Sequence, residues 1–165
     1  MKKFLMIPIL LFAGALFAEP INYLDANGSL IGTATIDDGI TTYRDVSGKV
    51  IGSSFQNGSQ ITFRTAEGRI IGTATPNGSN TTYRDAHGRI VGLAVSDGKQ
   101  ITYRNRESKI IGTATPSGNK TTYQNASGRL LGSVSCGEKN NDFARDAFIQ
   151  IVTSSMRNFR ISFFE

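Results

Sequence analysis

The chain has 165 residues, a formal net charge of +5, 18 glycines, no tryptophan and a single cysteine. This length makes one domain, or one repeat array with a small appendage. The mild basic excess is not the footprint of a dedicated nucleic-acid binder, and one thiol excludes an internal disulfide framework, although Cys136 could still pair with another chain.

The first element is the N-terminal stretch MKKFLMIPILLFAGALFAEP. Lys2 and Lys3 precede an apolar run from Phe4 to Ala18, interrupted only by Pro8 and Gly14. The run is shorter than the roughly 20 residues that cross a bilayer comfortably, and it ends in small residues at which it could be cut, after Ala18 or after Ala15. Residues 1–18 therefore read as a helical signal peptide, with an uncleaved anchor as the alternative. No cysteine follows directly, so a lipoprotein anchor is not expected. The expected destination is outside the cytoplasm: periplasmic, cell-surface or secreted. Without Lys2 and Lys3 the net charge falls from +5 to +3.

Residues 19–136 form the next unit, and from Tyr23 they fall without gaps into six blocks of twenty. An aromatic opens each block (Tyr23, Tyr43, Phe63, Tyr83, Tyr103, Tyr123) and glycine is the tenth residue of each (Gly32, Gly52, Gly72, Gly92, Gly112, Gly132). Such a period is the mark of a repeat architecture. Each block carries two turn signals. One is Asp-Ala-His-Gly at Asp85–Gly88 and its equivalents, in which Asp caps the turn and Gly accepts a positive φ. The other is Asn-Gly or a relative, a hairpin signal, as at Asn57-Gly58, Asn77-Gly78 and Asp97-Gly98. Ile, Val, Thr and Tyr fill the intervals and favour strands, whereas the recurrent Gly, Pro and Thr exclude helix. The expected fold is all-β: an antiparallel meander or solenoid-like array of about six β-hairpin repeats with ten to twelve strands, either an open sheet or one curled into a tube. If Asn77-Gly78 is the two-residue turn, Gly72 lies opposite Tyr83, whose ring would cover the bare backbone. Ile70, Ala74 and Tyr83 would then share one face, with Arg69, Ile71, Thr73 and Arg84 on the other.

Catalysis needs unlike groups converging on one point. Here Asp, Arg and Tyr recur as evenly spaced copies, which places them in rows, and no motif of a nucleophile, zinc site or phosphate loop occurs. The chain is therefore expected not to be an enzyme, with no cofactor and no metal. The only histidine, His87, occupies a turn-tip slot also filled by Asn27, Ser47, Glu67, Glu107 and Ser127, and reads as an exposed bystander. Asp25, Asp45 and Asp85 stand singly in their blocks, which suits turn capping better than calcium. Asn-x-Ser/Thr triplets such as Asn57-Gly58-Ser59 read as turn chemistry. The candidate binding residues are Tyr43, Arg44, Phe63, Arg64, Tyr83, Arg84, Tyr103 and Arg104, a ladder in which rings could stack on sugars and arginines attract anions. The alternative is that the rings cover glycines and the arginines are solvated.

The segments YRDAHGRI, YRDVSGKV and FRTAEGRI resemble the YD (RHS-type) repeat, whose core is Y-D-x-x-G-R-L; the match runs from Asp85 to Ile90 and recurs over residues 23 to 135, with the Tyr two residues before the Asp. The resemblance implies hairpin units wound into ribbons or shells on exported bacterial proteins, including toxins and cell-surface proteins. No toxin domain is recognisable in this chain.

The last element, residues 137–165, breaks the period. Phe143, Ala144, Ala147, Phe148, Ile151, Val152 and Met156 recur at helical spacing. The spacing predicts an amphipathic helix near 142 to 158, which could cap the last strand edge, contact a membrane or partner, or mark a truncated end. Taken together, the sequence leads one to expect an exported, non-enzymatic repeat protein forming a structural or adhesive surface of a bacterial envelope. The alternative is a carbohydrate- or envelope-binding module using the Tyr/Arg ladder. Partners would be glycans or another envelope protein, with membrane contact through the C-terminal helix, and nucleic acid is not expected.

Overall fold

The computed structural model describes residues 20–136. The two helices expected from the sequence, in residues 1–18 and near 142 to 158, lie outside the described residues. Inside them the regular structure is twelve strands: β1 (Ile21–Asp25), β2 (Leu30–Asp37), β3 (Ile40–Asp45), β4 (Val50–Asn57), β5 (Gln60–Thr65), β6 (Ile70–Asn77), β7 (Asn80–Asp85), β8 (Ile90–Ser96), β9 (Ile101–Asn105), β10 (Ile110–Ser117), β11 (Lys120–Asn125) and β12 (Leu130–Ser135).

Two kinds of turn connect them and alternate between the two ends of the sheet. At the first kind, the residue that ends an odd strand (Asp25, Asp45, Asp85, Asn105, Asn125 or Thr65) folds its own turn. Asp85 Oδ1 accepts hydrogen bonds from the backbone N–H of His87 (2.8 Å) and Arg89 (2.9 Å), and Asp85 O accepts from Gly88 N (3.0 Å). Gly88 takes φ +80°, as this turn requires. Ser108 fills the same position at φ 64° without glycine's freedom. The second kind is a two-residue loop. Asn77 pairs with Asn80, so the loop is Gly78-Ser79 and not Asn77-Gly78. Gly78 at φ +59° followed by a residue of negative φ has the signature of a type II′ turn, with Gly first.

That difference moves the turn by one residue and the expected cross-strand partners by two. Across the loop Ala74 faces Tyr83 and Gly72 faces Asp85. The ring still finds a glycine, but across the other turn: Tyr83 faces Gly92, Tyr43 faces Gly52, Phe63 faces Gly72 and Tyr103 faces Gly112. Just beyond each of these pairs the register shifts by one residue, a bulge that bends the ribbon.

The architecture is not the solenoid-like array of hairpins expected from the sequence. β1 pairs with β12 and the sheet closes into an antiparallel barrel. The closing pair reuses the internal register. Tyr23 faces Val134 and Asp25 faces Gly132, as Tyr43 faces Ala34 and Asp45 faces Gly32. The first block thus takes the place of a seventh. Closure replaces the solenoid-like meander expected from the repeat, and the physical reason lies in the inner face. An open ribbon would leave a row of aromatic rings in water and two unpaired strand edges. In the closed barrel Tyr23, Tyr43, Phe63, Tyr83, Tyr103 and Tyr123 are each at most 2 % exposed. Ala34, Ala74, Ala94 and Ala114 alternate with them, and Ser54 in that slot bonds the phenol of Tyr43 at 2.7 Å.

Candidate functional site

The strand period of two separates each ring from the residue after it. Tyr43, Phe63, Tyr83 and Tyr103 point into the barrel, and Arg44, Arg64, Arg84 and Arg104 point out of it. The structure brings the four rings together on the inside and the four arginines into a row on the outside, but places no ring beside its arginine on a common surface.

The outward arginines belong to a larger feature at the end of the barrel formed by the Asp-capped turns. Of the twelve Lys and Arg among the described residues, ten stand on these turns or on the strand residues beside them. They include Lys49, Arg69, Arg89, Lys109 and Arg129 at the entry to the even strands. Five acids share this end (Asp25, Asp45, Glu67, Asp85, Glu107), which leaves it at +5. The opposite end carries Lys99 and Lys120 against Asp37, Asp38 and Asp97, and stands at −1. Among the described residues the only ion pair is Arg106–Glu107 at 3.3 Å, fully at the surface.

The turns hold these charges in place. The Nη1 atoms of Arg44, Arg84 and Arg104 donate to the carbonyls of Gly48 (3.0 Å), Gly88 (2.9 Å) and Ser108 (2.9 Å). Arg64 instead lies over the ring of Phe55, 4.8 Å from its centroid, with its Nε buried and unpartnered. The acids are equally fixed. The hydroxyl of Ser47 and the backbone N–H of Lys49 and Ser47 hold Asp45 below its ordinary pKa, and the backbone N–H groups of Arg89 and His87 do so for Asp85. Glu67 is likewise held below its ordinary pKa by the neighbouring side chain of Thr65 and by its own backbone N–H. All three are carboxylates at neutral pH.

Beside the arginines runs an aliphatic collar. The bulge sets Arg44 opposite Val50, Arg64 opposite Ile70, Arg84 opposite Ile90 and Arg104 opposite Ile110. Ile70, Ile90 and Ile110 are 49, 45 and 41 % exposed, while their neighbours Ile71, Val91 and Ile111 pack towards the core. Sequence reasoning missed the collar. Its signal was there: strict alternation cannot seat two adjacent aliphatic residues on one inner face, so each of Ile70-Ile71, Ile90-Val91 and Ile110-Ile111 must present one aliphatic side chain outside.

His87 sits exposed in its turn, held through its backbone N–H. Among the described residues no group of three or more His, Cys, Asp and Glu is placed to hold a metal ion. The outer wall between the ends is rich in threonine, and its strands of five to eight residues are shorter than the 9–11 of a bilayer-spanning strand.

No protein-family model matches the chain, and no curated protein matches it. Among solved structures the chain is similar to the crystal structure of a protein from Arabidopsis thaliana. The TM-score is 0.51 at 12 % identity, over 84 % of this chain and 91 % of that one. At that identity the likeness extends to the fold alone.

Proposed function

We propose that this protein is an exported, non-enzymatic interaction module of a bacterial cell envelope, and that its working surface is the outer wall at the basic end of the barrel. The observation that carries this reading is the sorting of charge: ten of twelve cations on one end, beside a collar of exposed aliphatic side chains. Barrel stability does not call for either feature. Exposed aliphatics set among cations mark contact surfaces, and a repeated weak contact gains strength by multivalency. The rings of the expected ladder have a structural task inside the barrel, so the binding work falls to the arginines without them.

The test is co-sedimentation with isolated bacterial envelopes. A variant carrying Arg44→Gln, Arg64→Gln, Arg84→Gln and Arg104→Gln should stay in the supernatant while the wild type pellets, with matching circular dichroism for both. Equal pelleting of the two would contradict the proposal.

A further inference from the structure

The geometry of the basic wall points to its occupant: we infer that it binds a linear acidic polysaccharide, one that carries about one carboxylate per disaccharide and runs around the barrel along the arginine row. This rests on the proposed interaction surface and gives it a ligand class.

Spacing is the first argument. Successive collar arginines are separated by two strands, and neighbouring strands lie about 4.8 Å apart, so guanidinium groups recur around the wall about every 10 Å. An extended disaccharide advances by a comparable distance. Each strand of a nucleic-acid duplex presents a phosphate about every 3.4 Å along the helix axis, which would leave roughly two phosphates in three without a partner. Single-stranded nucleic acid also wants aromatic platforms for its bases, and the aromatic row of this protein faces the interior.

Chemistry is the second argument. Each arginine lies between unlike neighbours. Arg84 has Thr73 across one strand pair and Ile90 across the other, and Arg64 has Ser53 and Ile70 in the same places. A uronic acid offers the matching set: a carboxylate, hydroxyls and an apolar C–H face. Arg44, Arg84 and Arg104 each spend one N–H on a turn carbonyl, which fixes the guanidinium and leaves its other donors for a carboxylate. Ordering costs on binding are reduced accordingly. A bilayer fits less well, because the polar turns, with Asp85, Glu67 and Glu107 among them, project beyond the collar and would enter the lipid first.

Affinity electrophoresis and calorimetry on the full-length protein at about 0.15 M salt test this. The probes are hyaluronan, with one carboxylate per disaccharide; dextran, uncharged; polyphosphate and a single-stranded oligonucleotide of matched total charge; and anionic phospholipid vesicles. Hyaluronan is expected to bind at least tenfold more tightly than each of the others. Arg64→Gln with Arg84→Gln should weaken it at least tenfold. Ile70→Asn with Ile90→Asn, which leaves the charge unchanged, should weaken hyaluronan severalfold and polyphosphate not at all. Affinity that follows charge density alone, indifference to the isoleucine changes, or preference for vesicles or oligonucleotide would overturn the inference. If no polysaccharide binds but envelope sedimentation remains arginine-dependent, the inference falls and the proposed function stands. If sedimentation is also arginine-independent, both fall.

Discussion

Gly112→Ala is a small change with a calculable consequence. A Cβ built on Gly112 would stand 2.5 Å from the carbonyl oxygen of Gln124 in β11, where ordinary contact begins at 3.4 Å. The obstacle is backbone, so relief requires β10 and β11 to separate by nearly an ångström. β11 is bonded on its far side to β12, and β12 to β1, so the displacement meets a closed ring and not a free edge. Overpacking of this kind costs about 1–3 kcal/mol, while the stiffer unfolded chain returns about 0.4–1 kcal/mol. A net loss of about 1–2 kcal/mol is expected, or about 2–8 °C in Tm for a chain of this size. Gly52→Ala, whose Cβ would stand 2.7 Å from Arg64 O, should lose less. Ser79→Ala, in an exposed turn, should stay within about 0.5 kcal/mol of wild type. Urea and thermal unfolding followed by far-ultraviolet circular dichroism measure all three. A Gly112→Ala protein as stable as wild type, or more so, would refute the idea that close strand approach is what demands glycine at this position.

Four further outcomes are expected. Asp85→Asn should leave the melting temperature at neutral pH almost unchanged, because Asn125 already caps its turn through the same oxygen with bonds to Ser127 N and Arg129 N, whereas Asp85→Ala should lower it. Asp45 and Asp85 have folded pKa values below the ordinary 3.8, so their contribution is present above that pH and is lost as the pH falls below it; acid unfolding midpoints of wild type and Asp85→Asn compared by circular dichroism should differ in that range. Burial, with Tyr43 and Cys136 nearby, raises Tyr23 well above 10.0, so the unfolded chain ionises first and stability falls as pH rises past 10.0; tyrosinate absorbance and loss of β signal should then appear together, and separate transitions would count against a packed interior. Cys136 is buried, so alkylation by iodoacetamide should be slow in native buffer and fast in denaturant, and equal rates would place it at the surface.

What the sequence revealed and what it hid divide along a physical line. Turn positions depend on neighbours, so Asp85 and Gly88 disclosed one turn and Gly78 the other. Local chemistry also separated Tyr83 from Arg84, since adjacent strand residues face opposite ways. Two residues of similar turn preference, Asn77 and Ser79, compete to flank Gly78, and that ambiguity displaced the turn by one residue and the pairing by two. Closure is a different matter. Tyr23 meets Val134 only after six hairpins have each bent the ribbon, and the departures in the end blocks, Leu24 and Gln124 in place of Arg and Val134 in place of Ala, do not announce that the two ends join. The surface at the basic end was half legible: Arg44, Arg64, Arg84 and Arg104 were found as a row, but only the doubled aliphatics hint at the collar beside them.

The closed barrel is the premise beneath the buried rings, the glycine row and the outward arginines, and one cross-link tests it. Asn22 and Ser135 are direct partners across the β1–β12 joint. Facing residues of an antiparallel pair have Cα atoms about 4.5–5.5 Å apart, within disulfide reach. In an open sheet of twelve strands the same residues would be about 50 Å apart. A protein carrying Asn22→Cys and Ser135→Cys, with Cys136→Ser to remove the native thiol, should oxidise to an intramolecular disulfide and melt at a higher temperature than its reduced form. A thiol pair that stays reduced, or links only between molecules, would contradict the barrel.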